Sequence, residues 1–187
     1  MNAFQQSVLR RAVDRASGVV IGLLIAGSLA VAAPVPTVSR SIEPVIARAA
    51  REIGFRRCLP LITATAQRAT AGASRQDILL DWDHRAPDAG PLFSLTAMNV
   101  GPQSAVLVLS ALPVSGNQPK CSLAVERISA TAQACETVAR TELQGYQRND
   151  LLPNVTVYTV PGRQTESITL VNSDGACLII RRQISIS

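Results

Sequence analysis

The densest run of chemically capable side chains is Asp81-Trp82-Asp83-His84-Arg85. On a strand, Asp81 and Asp83 project to one side and Trp82 to the other. Two carboxylates beside the only histidine of the chain are the residue types that share a proton or hold a cation. Acid/base work also needs pKa values pushed apart by burial or mutual repulsion. No second histidine, nucleophile motif or third fixed ligand accompanies them. Asp81, Asp83 and His84 are therefore weak catalytic candidates. The competing reading is a solvated strand end, with Trp82 packed inward or in an exposed concavity.

Other catalytic signatures are missing. Neither Gly-x-Ser-x-Gly, Ser-x-x-Lys nor His-Glu-x-x-His occurs, and the glycines stand alone as turn punctuation instead of forming phosphate loops. The inventory implies no cofactor and no metal, and it favours a binding protein over an enzyme. A small periplasmic hydrolase using Asp81, Asp83 and His84 is the alternative.

The amino terminus sets the compartment. Arg10, Arg11 and Arg15 precede an apolar run from Gly18 to Val31. At about 1.5 Å per residue this run covers about 21 Å, less than a hydrocarbon core of about 30 Å. It ends in Ala30-Val31-Ala32, a small-x-small signature for signal peptidase. Residues 1–32 read as a signal peptide, with a retained amino-terminal anchor as the alternative, and 33–40 as an extended lead. Cleavage after Ala32 removes three arginines and Asp14, leaving 15 basic and 12 acidic residues, a net charge of +3. So weak a charge, with few aromatics and no basic stripe, argues against nucleic acid as a partner. Export to the periplasm or beyond, with no stable membrane span after cleavage, argues against it more strongly.

Cys58, Cys121, Cys135 and Cys177 all follow the leader, and an even count in an exported chain reads as two disulfides. Cys58 and Cys135 enter predicted helices, whereas Cys121 and Cys177 lie on predicted strands. Pairing each helix cysteine with the strand cysteine of its own half gives Cys58–Cys121 and Cys135–Cys177. No Cys-x-x-Cys spacing supports a thiol nucleophile or a metal site.

The elements that position these residues follow from periodicity. Ser41 can cap a helix carrying Ile42, Val45, Ile46, Ala49 and Ile53, closed by Gly54. A second helix starts near Cys58 or Leu59, tolerates Pro60 in its first turn and stops near Gly72. Strands are predicted at Ile78–Trp82, Leu92–Val100, Ser104–Leu112 and from Cys121 to Glu126. Val106 and Val108 alternate with Leu107 and Leu109, which predicts a central strand covered on both faces. A helix beginning at Ser129 or Thr131 follows, then strands Val155–Val160, Ser167–Asn172 and Ala176–Arg182, with Asp174-Gly175 as a hairpin turn. Ile184 and Ile186 extend the last strand, which reads as an edge guarded by Arg181 and Arg182.

Two stretches share this order. Cys58 matches Cys135 and Ile78 matches Val155 at an offset of 77, and Asn99 matches Asn172 at 73. The fold class expected is α+β: two related α-β-β-β-like halves, 41–128 and 129–187, with helices packed on antiparallel sheet and braced by disulfides. Trp82 and Tyr158 fall near matching strand ends, with Arg85 and Arg163 in the loops beyond. These four are the candidate binding residues, on a concave surface for another exported or envelope protein. The function expected is an exported protein-binding module: an inhibitor, immunity or accessory protein. A structural subunit of an envelope or secretion assembly is a further alternative, and it requires an exposed apolar patch or free sheet edge.

Overall fold

A computed structural model of the chain describes residues 43–114 and 120–186. The leader, the extended lead and the Ser41 cap lie outside these residues, as does most of the polar linker expected between Pro113 and Pro119. The first helix, α1 (Val45–Glu52), follows Pro44, whose fixed φ suits a helix entry. Ile46, Ala47 and Ala50 form its buried stripe, and Gly54 leaves it at φ +85°. The second, α2 (Leu59–Ala69), holds Pro60 in its first turn, where the missing N–H costs nothing, and buries Ile62, Thr65 and Ala66.

The period then changes to two. Strands β1 (Ala73–Trp82), β2 (Leu92–Val100), β3 (Gln103–Val114) and β4 (Lys120–Thr131) run as an antiparallel meander. A third helix, α3 (Cys135–Glu142), leads into β5 (Gln147–Leu152), β6 (Val155–Val160), β7 (Arg163–Ser173) and β8 (Ala176–Ile186). All eight strands form one sheet in the order β1-β2-β3-β4-β8-β7-β6-β5. The two meanders meet through the antiparallel pair β4 and β8. The fold is α+β, an antiparallel sheet with three helices among the described residues and two disulfides.

Three details depart from the sequence reading. Each helical segment is followed by four strands, because β5, a fully exposed edge strand, carries no alternation to announce it. Ile78 lies in the first strand after α2, whereas Val155 lies in the second strand after α3, so the 77-residue offset does not match strands in order. The boundary at 128/129 falls inside β4, which runs on to Thr131 before the chain turns into α3.

The helices lie on one face of the sheet. Beneath α1 and α2, the inward positions of β2, β3 and β4 (Leu92, Met98, Leu107, Leu109, Leu123 and Val125) are buried with Phe55 and Ile62. Beneath α3, a second cluster gathers Val138, Leu143, Tyr158, Ile168, Leu170 and Ile179. Each core is stapled. Cys58 at the start of α2 joins Cys121 on β4, and Cys135 at the start of α3 joins Cys177 on β8, with Cα separations of 5.5 and 5.0 Å. By chain entropy alone, closing loops of 63 and 42 residues stabilises the fold by about 4 kcal/mol each.

Candidate functional site

The cluster from Asp81 to Arg85 closes β1 and opens the loop to β2. Asp81 sits opposite Phe93 on the face away from the helices, whereas Trp82 packs against the first core. His84 tilts over the Trp82 ring at a centroid distance of 4.1 Å. Asp83 has left the strand: its Oδ1 accepts the Arg85 backbone N–H at 2.9 Å, and its carbonyl accepts that of Ala86. Gly90 closes on it so tightly that a Cβ there would stand 2.4 Å from the Cβ of Asp83. Asp88, which nothing in the sequence pattern singles out, accepts the backbone N–H groups of Arg56 and Arg57 at 2.7 and 2.6 Å. The loop is thereby tied to the turn that starts α2. Asp81 thus lies on the open side of β1, Asp83 caps the loop backbone and His84 rests on Trp82. Among the described residues no three His, Cys, Asp or Glu side chains gather as metal ligands would.

The expected pairing of Trp82 with Tyr158 does not form one surface. Tyr158 is 7% exposed and belongs to the core under α3. Six strand spacings of about 4.8 Å separate β1 from β6, roughly 29 Å. Arg85 is exposed beside Asp83, and Arg163 lies at the other half's β6–β7 turn, 3.8 Å from Glu166. The concave surface expected from Trp82, Arg85, Tyr158 and Arg163 therefore has its two pairs of residues near opposite ends of the strand order.

That centre holds two features. On the helix side, between α2 and α3, a cleft of about 390 Å³ is lined by Arg68, Arg127, Tyr146, Glu166, Arg181 and Gln183. Arg127 and Arg181 face each other across β4 and β8, and Glu142 of α3 binds Arg181 at 2.5 Å. On the outer rim Arg148, Asp150 and Thr156 form a small network. Hydrogen bonds from Thr156 and Arg148 hold the Asp150 carboxyl below its ordinary value, and the Asp150 hydrogen bond raises Arg148.

The second feature is the sheet's other face, on which no described element packs. Directly opposed residues share a face, so the register defines its rows. One row runs Leu79, Leu95, Val108, Glu126, Arg182, Ser167, Thr159. A neighbouring row runs Asp77, Ala97, Val106, Ile128, Ile180, Thr169, Val157. On the other side lie Phe93, Ser110, Ala124 and Ile184, then Leu112, Ser122 and Ile186. Leu79 is 69% exposed, Ile186 77%, and Phe93, Leu95 and Leu112 more than 40%. At the middle, Arg182 Nε lies 3.5 Å from Glu126 Oε1.

This face was legible only as a doubled pattern. Both parities of β3 are apolar, a pattern that predicts cover on both faces, whereas only the helix side is covered by a described element. Arg181 and Arg182, expected to guard an edge, lie instead on β8 at the sheet centre. No helix among the described residues is long and apolar enough to cross a membrane. No family model, curated protein or solved structure matches the chain.

Proposed function

We propose that this chain is an exported protein-binding module whose docking surface is the open face of its sheet. One observation carries the reading: a broad apolar face, centred on Val108, Ile128 and Ile180, with a single central ion pair and no described element over it. Exposed apolar patches beyond a few hundred Å² mark interaction surfaces in folded proteins. The partner is a folded protein of the periplasm or extracellular space that presents an apolar face of its own. The mechanism is steric and non-covalent. Two disulfides and the helix layer hold the sheet rigid, so little ordering entropy opposes docking.

The same face favours the assembly-subunit reading, which requires such a patch. The hydrolase reading has no comparable support, since Asp81 faces the open side while His84 lies against Trp82. The correspondence of the halves, helix cysteine to last-strand cysteine in each, supports an origin by duplication, with β1–β4 matching β5–β8 in order.

A photo-cross-linking residue in place of Val108, tested in the cells that export the chain, checks the proposal. It is expected to capture a protein, and the capture is lost when Leu95→Lys puts a charge in the same row. The same residue in place of Gln67, exposed on α2, is expected to capture far less. Equal capture from both positions would overturn the docking face.

A further inference from the structure

Resting on that docking reading, we infer that the occupant of the open face is a second copy of this chain, packed sheet to sheet about a two-fold axis. Eight strands at about 4.8 Å give a width of about 38 Å, and with a fifth row of Ala130, Leu178 and Val171 beyond that of Ile128 the five rows span about 27 Å. The face therefore covers roughly 1,000 Å², above the roughly 800 Å² per partner of a stable interface. Two such sheets pack about 10 Å apart with their strands crossing by about 30°.

The charge at the centre selects this partner. Glu126 and Arg182 lie side by side on β4 and β8, the strands that flank the middle of the sheet. A two-fold axis in the interface, running along the strands between β4 and β8, exchanges the two columns. It sets Glu126 of one copy over Arg182 of the other, and Arg182 over Glu126, making an alternating square of four charges. The next row sets Ile128 against Ile180 of the second copy, and the row on the other side sets Ala124 against Ile184. The face is thus complementary to itself in charge at its centre, with apolar pairs in the β4 and β8 positions to either side. Further out, Val108 and Leu95 meet Ser167 and Thr159 of the second copy. A closed isologous pair of this kind also hides the patch instead of propagating it.

Sedimentation of the exported full chain between about 1 and about 100 µM tests this, and a reversible monomer–dimer equilibrium is expected. Val108→Lys weakens it by at least about tenfold. Glu126→Arg alone and Arg182→Glu alone each give monomers, because like charges then meet at the axis. Mixed in equal amounts, these two variants form a heterodimer, since each then faces the opposite charge. Melting curves confirm that each variant is folded, and Val108→Lys keeps the test decisive if a charge reversal fails to fold. A dimer indifferent to Val108→Lys, or variants that ignore one another on mixing, would overturn the assignment. A wild-type monomer throughout also overturns it. If cross-linking at position 108 then captures a different protein, the docking face stands and only its occupant changes. If it reaches only the chain's own residues, both readings fall.

Discussion

Arg127 and Arg181 are direct cross-strand partners on the helix side of β4 and β8, one position along from the Glu126–Arg182 pair on the open side. Like charges in register repel, and opposite charges in register attract, so the cross-strand interaction is repulsive on the helix side and attractive on the open side. Glu142 reaches from α3 to Arg181, whereas Arg127 has no ion-pair partner among the described residues. Arg127→Gln is therefore expected to raise stability by about 0.5 kcal/mol at low salt. Glu142→Gln is expected to lower it by up to about 1 kcal/mol, the upper range for a half-exposed pair. Thermal melts across a sodium chloride series check both: screening narrows the difference between wild type and Arg127→Gln. Equal stability at low salt would mean that the guanidinium groups splay apart in solution.

Asp88 is expected to matter more for stability than the aspartates that the sequence made conspicuous. Its carboxylate holds two backbone N–H groups at the start of α2, next to Cys58. Asp88→Ala frees both donors and unties the β1–β2 loop, at a cost of about 1–2 kcal/mol. Asp81→Asn, on the sheet's open face, is expected to change stability by less than about 0.5 kcal/mol. Urea unfolding of the two variants side by side decides the order.

The disulfides give a comparison in which chain entropy nearly cancels. Loops of 63 and 42 residues differ by only about 0.4 kcal/mol in closure entropy. Cys58 and Cys121 are both buried in the larger core, whereas Cys135 is partly exposed at the start of α3. Replacing Cys58 and Cys121 together by serine places two hydroxyls in that core, in addition to losing about 4 kcal/mol of cross-link. The Cys58/Cys121 double variant is expected to be the less stable by more than the entropy difference. Denaturant midpoints of the two double variants test this.

What the residues reveal before folding divides along physical lines. β2 and β6 are legible to the residue, since their β-rich runs end at glycine and proline turns, and Asp174-Gly175 supplies both positive-φ positions of the β7–β8 hairpin. The disulfide pairing follows from which cysteines enter helices and which lie on strands. β5 was hidden because an exposed edge strand needs no apolar alternation: Gln147 to Leu152 are exposed throughout. Sheet order was hidden as well. Nothing local states that β8 returns to the centre beside β4, so Arg181 and Arg182 read as an edge when they are interior. For the same reason an apolar second face read as a covered one, since alternation reports which positions avoid water and not what excludes it.

The Arg148–Asp150–Thr156 network sets the pH dependence on the outer rim. Hydrogen bonds from Thr156 and Arg148 lower the Asp150 pKa in the folded chain below its ordinary value of 3.8. The folded state therefore binds fewer protons there than the unfolded state, and stability rises with pH across the interval between the two pKa values. This contribution is fully present above the ordinary carboxylate value and is lost as pH falls through the lowered one. Asp150→Asn removes it, so wild type is expected to be the more stable at neutral pH, and the gap is expected to close as the pH drops below the carboxylate range. Thr156→Val, which deletes the first of the two donors, is expected to move the closing point to higher pH. Urea midpoints for the three chains at pH 7 and at stepped acidic values give the comparison. A gap that stays constant with pH would mean that Asp150 acts through its shape and neutral hydrogen bonding, not through its charge.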